Sequence, residues 1–467
     1  MRPRGSTPDH SSSPGSGRSG VPERLFSRPT PPADLLVEGA HVLDPRTGID
    51  APHDVLVHDG FIAGIGAPGS LEAPEGAERV DGEGRHLLPG FVDPHVHLRT
   101  PGQEHKEDLD SGTRAAAAGG FVAVVAMPNT SPTVDDASVL RALREAARRE
   151  ARVPTGFMAS VTRGLAGEAL TEMAELRAEG ALGFTDDGKP VWRAAMLRRA
   201  LQYQKLCGGV IALHEEDPSL SAAGVMHEGE VSARLGLAGI PSISESTLIA
   251  RDAAIARYEG GRIHAQHLSA AESVEAVAEA KARGVSITCE ASPHHLTLTD
   301  EDVLLLLDTR LKMNPPLRTE ADRQALIAGL RDGTIDCIAT DHAPHAREEK
   351  EVPWEEAPMG TTGLETAFAS VYSELVRPGT LPLGLVVEKL SAGAALLDLP
   401  LPRIATGEPA NLCLIDLEAT WEVGEAGYES RSENCCFAGR TFHGRVLMTV
   451  AAGAVAYRER AFAVSAA

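Results

Sequence analysis

The 467-residue chain has few aromatic residues, no Cys-x-x-Cys motif and no long apolar run. Its six cysteines are scattered, apart from the adjacent pair Cys435 and Cys436, which argues against a disulfide framework and against a thiolate metal site. No stretch approaches the roughly 18–20 consecutive apolar residues of a membrane span, and no N-terminal segment resembles a secretory signal. We therefore expect a cytoplasmic protein with reduced thiols that does not cross a membrane.

Basic residues are scarce relative to acidic ones. The chain has 44 Lys and Arg against 66 Asp and Glu, and its formal net charge is −22. A surface this acidic repels phosphate backbones, which excludes nucleic acid as a partner bound through a basic surface. The content of 43% apolar and 24% charged residues is typical of a globular protein.

The composition changes along the chain and predicts its domain organisation. Residues 1–33 contain seven Pro, seven Ser and four Gly, so we predict a disordered tail there. Residues 34–88 and 401–467 contain short β-rich runs, and we predict that these two chain ends form one small β-sandwich domain. Residues 89–400 lie between them and form the predicted main domain.

In this main domain, eight short apolar segments, the seventh of which is Ser286–His295, are predicted strands and alternate with amphipathic stretches rich in Ala, Glu and Arg. Eight β-α alternations in about 300 residues favour an α/β fold of the (β/α)₈ TIM-barrel type. A doubly wound open sheet is the alternative. The aromatic content of 4% suits a barrel interior filled by aliphatic side chains.

Chemically active side chains follow several of these predicted strands. His95 and His97 end the first one, and because alternate strand residues share a face, both point toward the barrel mouth. Further candidates end strands four, five, six and eight: Asp186 or Asp187, His214, His267 and Asp341. The carboxyl ends of barrel strands converge on one mouth. This cluster of imidazoles and carboxylates predicts a metal site for an ion such as Zn²⁺.

The same pattern resembles that of the amidohydrolase superfamily, and several motifs resemble the dihydroorotase family more closely. They match the bacterial type related to the dihydroorotase domain of multifunctional pyrimidine enzymes, from about residue 35 to the C-terminus. The motifs are His97-Leu-Arg99, Met127-Pro-Asn129, Phe184-Thr-Asp-Asp-Gly188, Lys312-Met-Asn-Pro-Pro-Leu-Arg318, Asp341-His-Ala-Pro-His345 and Gly363-Leu-Glu-Thr-Ala-Phe.

The resemblance implies one or two zinc ions. His95, His97 and Asp341 would bind the first ion, and His214 and His267 the second. Asp187 would bridge the two, with Asp186 as the alternative bridging residue. Many relatives use a carboxylated lysine as the bridge, but strand four offers no lysine before its Asp pair. Lys189, in the following loop, is interpreted as a solvated charge.

The implied reaction is the reversible hydrolysis of the cyclic amide of L-dihydroorotate to N-carbamoyl-L-aspartate, the third step of pyrimidine (UMP) synthesis. Asp341 would act as general base and then as general acid. Substrate contacts are implied for seven residues. His97 would face the substrate, Arg99, Asn129 and His345 would bind its carboxylate, and Asn314, Met359 and Gly360 would contact its pyrimidine edge.

Other polar residues receive structural interpretations. His342, His294 and His295 match no metal position and are interpreted as supporting or structural residues, and His105 as a solvated loop residue. Thr100 stands where relatives often carry Glu, so the local packing beside Arg99 differs, without an expected loss of activity.

Two other functions fit the same fold. Another cyclic-amide hydrolase, namely a dihydropyrimidinase, hydantoinase or allantoinase, would lack the clamp formed by Arg99 and Asn129. A non-catalytic scaffold for aspartate transcarbamoylase would have lost metal ligands, whereas all six positions are filled here. The resemblance also makes a homodimer, or a complex with aspartate transcarbamoylase, a plausible assembly.

Overall fold

The structure is a computed structural model that describes residues 20–462 and the backbone of Ser465–Ala466. Its strands are β1 Leu35–Asp44, β2 Ile49–His58, β3 Phe61–Gly66, β4 Glu78–Asp81, β5 His86–Pro89, β6 Phe91–Val96, β7 Phe121–Ala126, β8 Thr155–Phe157, β9 Gly183–Thr185, β10 Val210–Leu213, β11 Met226–His227, β12 Gly239–Ile240, β13 Ile263–Ala265, β14 Ile287–Ala291, β15 Cys337–Ile338, β16 Leu412–Glu422, β17 Thr441–Ala451, β18 Ala454–Arg458 and β19 Ser465–Ala466.

The helices surround and connect these strands. They are α1 Leu109–Ala118, α2 Ala137–Glu150, α3 Met173–Ala178, α4 Ala194–Cys207, α5 Pro218–Ser221, α6 Glu230–Leu235, α7 Ile243–Glu259, α8 Ala271–Ala282, α9 Pro293–Thr297, α10 Asp300–Leu306, α11 Glu320–Asp332, α12 Arg347–Lys350, α13 Ala367–Val371, α14 Leu383–Ser391 and α15 Gly393–Leu396. Within the described residues, no helix is both long and apolar enough to span a membrane.

The predicted barrel is confirmed. Strands β6–β7–β8 form one parallel sheet and β9–β10–β13–β14–β15 another. Parallel bridges from Ala159 to Phe184 and from Val96 to His342 join the two sheets at both edges. The eight strands therefore form a closed cylinder, and their carboxyl ends surround one mouth.

The two chain ends form a second sheet of nine strands in the order β18-β17-β16-β5-β1-β2-β3. Strand β4 also pairs with β1 and with β19, so the sheet branches at β1. Aliphatic side chains from both chain ends, including Val42, Leu87 and Leu414, share one core. The exact domain boundaries stay a prediction.

Two predictions need correction. The predicted disordered tail, residues 1–33, extends too far along the chain. Residues 1–19 lie outside the described residues, but Leu25 and Phe26 are buried against the barrel. Phe26 and Thr155 also exchange two backbone hydrogen bonds of 2.9 Å. This part of the chain packs on the barrel because apolar side chains follow the Ser/Gly-rich stretch. The seventh strand, expected over 286–295, ends at Ala291, since Pro293 begins helix α9.

The segment between β16 and β17, residues 423–440, leaves the terminal sheet and covers part of the barrel. Cys435, Cys436 and Phe437 are buried in a small apolar core with Leu311 and Met313. A parallel bridge from Cys435 to Thr362 ties this segment to the chain that follows strand eight. The C-terminal part of the chain therefore helps to build the rim of the barrel.

Candidate active site

Six side chains converge at the barrel mouth. His95 lies in β6 and His97 directly follows it. The others follow β9, β10, β13 and β15, and all six are buried: His95, His97, Asp187, His214, His267 and Asp341. These are the residues that the sequence places at strand ends, and the closed barrel brings them together.

The ligand atoms form two overlapping groups that share His95. In one, His95 Nε2 lies 3.4 Å from Asp341 Oδ1, and His97 Nε2 lies 3.1 Å from the same oxygen. In the other, Asp187 Oδ1 lies 3.4 Å from His95 Nε2 and 3.7 Å from His267 Nε2. In each group all ligand atoms lie within 4.8 Å of one another, a spacing that could hold a metal ion.

Asp187 and Asp186 face opposite ways, which separates the two candidates for the bridge. Asp187 Oδ2 also lies 3.3 Å from His97 Nε2, so this carboxylate faces three histidines. Asp186 turns away and accepts hydrogen bonds from the backbone N–H groups of Val161 (2.8 Å) and Thr162 (3.0 Å). The geometry favours Asp187 over Asp186 as the bridging residue.

Several ring nitrogens lack an ordinary hydrogen-bond partner. His95 Nε2 and His267 Nδ1 are buried without one among the described residues. His214 Nδ1 and His267 Nε2 lie 3.0 Å apart, so two lone pairs would face each other without a proton or cation between them. Buried imidazole nitrogens and carboxylates without other partners are the donor set that a Zn²⁺ ion prefers, and these residues fit that group.

Buried carboxylate and amide groups fix the orientation of two histidines. His95 Nδ1 donates to Glu290 Oε1 at 2.6 Å, and His97 Nδ1 donates to Asn129 Oδ1 at 2.9 Å. In both rings Nε2 is left as a lone pair that points at the ligand cluster. Glu290 also accepts from His264 Nε2 at 3.0 Å. Although its burial opposes ionisation, interaction with His95 and His264, including a hydrogen bond from each, lowers the pKa of Glu290 to about 2.

Asp341 stays ionised at neutral pH. Burial alone would raise its pKa, but interaction with the neighbouring His95 and His97 side chains outweighs burial and holds that pKa below the usual range. Its side chain also lines the cavity described next. A carboxylate in this position can accept a proton from a molecule bound in the cavity.

A cavity of about 290 Å³ opens beside the ligand cluster. It is lined by His97, Arg99, Asn129, Asp187, Gly188, His214, His267, Asn314, Asp341, Ala343, His345, Met359 and Gly360. This lining includes every residue for which the resemblance implies a substrate contact. The structure thus brings those loop residues next to the histidine cluster.

Arg99 is the one strongly buried cation on this cavity wall. Its Nε donates to Pro344 O at 3.1 Å, and it forms no ion pair within 4.0 Å with any described residue. Burial lowers the pKa of Arg99 to about 10, although the negative charges of Asp341 and Asp187 oppose that shift. A buried guanidinium without a counter-ion is costly unless an anion pairs with it.

Other cavity residues are already engaged. His345 Nε2 donates to Met359 O at 2.9 Å, which ties the chain after strand eight to the Met359-Gly360 backbone. Asn314 Nδ2 donates to Glu216 Oε2 at 2.6 Å. His345 Nδ1 has no hydrogen-bond partner among the described residues, so it can face a ligand while Nε2 keeps its bond, whereas the Asn314 N–H group must share or exchange its bond to Glu216.

Three non-glycine residues at the mouth have left-handed backbone conformations. They are Arg99 (φ 57°), His267 (φ 33°) and Asp341 (φ 47°). Such conformations cost of order 1–3 kcal/mol each and persist only where the surroundings enforce them. Their clustering at the cavity indicates that the fold positions these side chains at the expense of local backbone stability.

Of the remaining histidines near the mouth, His342 and His295 have partners away from the ligand cluster, whereas His294 Nε2 is buried without a hydrogen-bond partner among the described residues. His342 Nε2 lies 3.3 Å from Glu107 Oε2, and His342 Nδ1 accepts from Gly363 N. His295 donates from Nε2 to Pro315 O at 2.9 Å. These contacts connect loops around the mouth and agree with supporting roles.

Sequence reasoning missed two residues that the structure brings to the site. Glu290 orients His95 and Asn434 contacts two loops of the cavity wall. Glu290 occupies the fourth position of β14, and a charged residue in an otherwise buried strand was a usable signal. Asn434 lies in an irregular segment with no such signal.

Comparisons of the sequence with known proteins identify one family, whereas those of the structure identify the fold. A model of the family described as Dihydro-orotase-like matches residues 84–273. The chain is 46% identical to a dihydroorotase of Anaeromyxobacter sp. (strain K) over 91% of this chain and 98% of that protein. It is also 46% identical to a dihydroorotase of Pelotomaculum thermopropionicum over 91% of this chain and 99% of that protein. A solved dihydropyrimidinase from Brevibacillus agri NCHU1002 shares the fold alone, with 24% identity, a TM-score of 0.79, and coverage of 92% of this chain and 96% of that one.

Proposed function

The chain belongs to the dihydroorotase family, and we propose that it binds L-dihydroorotate in the cavity beside a zinc site formed by its six strand-end ligands. It is a cyclic amidohydrolase of the dihydroorotase type. The reaction is the reversible hydrolysis of L-dihydroorotate to N-carbamoyl-L-aspartate in pyrimidine synthesis. The residue roles and the zinc occupancy that follow are our proposal.

The buried Arg99 carries the substrate assignment. L-Dihydroorotate has a carboxylate on its ring, whereas uncharged cyclic amides have none. Because Arg99 lies on the cavity wall without an ion-pair partner in the described chain, a carboxylate bound there supplies the missing counter-charge. Asn129 and His345, on the same wall, complete the proposed carboxylate site.

The ligand cluster determines where the amide is cleaved. His95, His97 and Asp341 would hold one zinc ion, His214 and His267 a second, and Asp187 would contact both. When bound, zinc supplies Lewis-acid polarisation of the carbonyl oxygen and lowers the pKa of water. Glu290 and Asn129 hold His95 and His97 in the tautomers that such binding requires.

Asp341 moves the proton. Its low pKa leaves it ready to accept the proton of the water that attacks the ring carbonyl carbon. As the C–N bond of the ring breaks, the same carboxyl group delivers this proton to the leaving nitrogen. His97 faces the reacting amide, while Asn314 and the backbone of Met359 and Gly360 contact the pyrimidine edge.

The cellular setting is proposed on chemical grounds. All six cysteines are free thiols in the structure, in keeping with a reducing cytoplasm. A homodimer, and a complex with aspartate transcarbamoylase, remain predictions from the family resemblance. Light scattering of the purified chain, alone and with that enzyme, tests both.

The deciding experiment measures turnover of L-dihydroorotate by the zinc-loaded chain beside dihydrouracil, hydantoin and allantoin. We expect only L-dihydroorotate to react, because only its carboxylate pairs with Arg99. Turnover of an uncharged ring instead would contradict the carboxylate site but not the metal site. Stoichiometric zinc without any turnover would favour a non-catalytic scaffold or the need for a partner chain.

A further inference from the structure

Asn434 reaches the barrel mouth from the C-terminal segment between β16 and β17. This segment is remote in sequence from the strand-eight loop that carries His345 and from the loop that carries Gly360. Asn434 is nevertheless only 4% exposed and lies where those two loops meet. It does not line the cavity, so its side chain acts on the wall from behind.

The side chain of Asn434 uses its amide to join both loops. Its Oδ1 accepts from the backbone N–H of His345 at 3.0 Å. Its Nδ2 donates to Ala343 O and to Gly360 O, both at 3.1 Å. One acceptor and two donors are thus matched by one N–H group and two carbonyls, a pattern that an amide satisfies and a carboxylate does not.

The backbone of Asn434 strengthens the same junction. Its carbonyl oxygen accepts from Thr361 Oγ1 at 3.0 Å and from Thr362 N at 3.2 Å. Gly360 has a φ of +136°, and a Cβ at that position would lie 2.9 Å from Ala343 Cβ and 3.0 Å from His345 Nε2. The two loops therefore touch directly, and small displacements of either change the cavity wall.

We infer that Asn434 is a positioning residue that holds His345 and the Met359-Gly360 backbone at the relative positions that substrate binding requires. This inference rests on the proposed function, because His345, Met359 and Gly360 are substrate contacts only if the cavity binds L-dihydroorotate. Asn434 does not itself line the cavity, and its side-chain bonds go to the cavity wall and to none of the proposed metal ligands. Its loss should therefore weaken substrate binding more than it slows the chemical step.

The test compares Asn434→Ala and Asn434→Asp with the wild-type full-length chain, all zinc-loaded. Ser432→Ala is the matched control, since Ser432 lies in the same segment, is equally buried, and bonds to Lys106 O rather than to the cavity loops. Steady-state kinetics with L-dihydroorotate are measured together with zinc content and hydrogen–deuterium exchange of backbone amides.

For Asn434→Ala we expect KM to rise about tenfold, with kcat changed by less than about threefold and zinc content unchanged. The amides of His345 and Gly360 should exchange faster. In Asn434→Asp the carboxylate still accepts from His345 N but repels both Ala343 O and Gly360 O. The loop around Gly360 should therefore exchange faster, while the amide of His345 keeps its partner and should exchange at the wild-type rate. Ser432→Ala should leave KM and the exchange of both loops at wild-type values.

An unchanged KM and unchanged exchange in Asn434→Ala would overturn the inference, as would a fall in kcat or zinc content at constant KM. If Asn434→Ala does not fold, the selective pattern in Asn434→Asp decides the same question. If the wild-type chain does not turn over L-dihydroorotate, the proposed function fails. The exchange pattern then still tests whether Asn434 holds the two loops.

Discussion

The barrel mouth has two halves that are built differently. The ligand half consists of the proposed metal ligands, which lie at the ends of barrel strands or within three residues after them: His95, His97, Asp187, His214, His267 and Asp341. The substrate half consists of proposed substrate contacts that lie in loops: Arg99, Asn314, His345, Met359 and Gly360. Strand pairing sets the first arrangement, whereas side chains that bond to backbone groups set the second. Changes in the two halves should therefore fail in different ways: the first by losing metal, the second by losing substrate.

The largest expected effect comes from Asp187, the proposed bridging carboxylate. Asp187→Asn should lower turnover by about 10³-fold or more, because the metal supplies several kcal/mol of transition-state stabilisation. Zinc per chain, measured by elemental analysis, should fall with it. Asp186→Asn is the matched control, since Asp186 bonds to the Val161 and Thr162 backbone instead. Equal zinc loss in both variants would contradict the assignment of Asp187.

The second prediction concerns Arg99, the buried cation of the substrate half. Arg99→Met should lower kcat/KM for L-dihydroorotate by about 10²-fold, since truncating one partner of a buried charge pair costs about 2–5 kcal/mol. Zinc content should stay at the wild-type value. Arg99→Lys keeps the charge but loses bidentate geometry, and its kcat/KM should lie between those of the wild-type chain and of Arg99→Met. A loss of zinc in Arg99→Met would show that the two halves are not separable.

The third prediction concerns the support of the ligand half. Glu290→Gln keeps the shape of the side chain but weakens its hold on the His95 ring, and should lower zinc affinity by about 10–100-fold. Competition with a chromogenic chelator measures this affinity directly. Saturating zinc should restore most of the turnover, which it cannot do in Asp187→Asn. Unchanged zinc affinity would mean that His95 needs no such support.

The smallest effect tests how the substrate half is anchored. Glu365 accepts hydrogen bonds from Glu429 N (3.0 Å) and Ser430 N (3.1 Å) at the base of the segment that carries Asn434. Burial raises the pKa of Glu365 to about 7. The pKa of a Glu side chain in an unfolded chain is about 4.3. Between this pKa and that of folded Glu365, the folded chain binds more protons than the unfolded chain, so its free energy of unfolding falls as the pH rises.

Glu365→Gln stays neutral and keeps a carbonyl acceptor, so it escapes this loss of stability. We expect its Tm relative to the wild-type chain to increase by about 2 °C or more between pH 5 and pH 8. Thermal melts at several pH values provide the measurement. A Tm difference that does not vary with pH would rule out ionisation of Glu365 as the cause.

Predictability from sequence follows the same division. His95 and His97 could be placed because residues two apart in a strand share a face, and parallel strands end at one edge. Arg99 and Asn129 were found only through the family resemblance, since no periodicity governs a loop. The position of strand β14 was accurate but its end was not, because the helix-starting Pro293 outweighed the apolar pattern.

The sequence by itself determined the barrel, the histidines and carboxylates at its strand ends, and the dihydroorotase family. These depend on local periodicity and on motifs of consecutive residues, which are visible without the fold. Only the tertiary structure decided that Asp187 rather than Asp186 faces the histidines, that Glu290 orients His95, and that Asn434 joins two loops. These three depend on which side chains meet across large sequence separations, and hydrogen bonding between such partners is specified only once the barrel has closed.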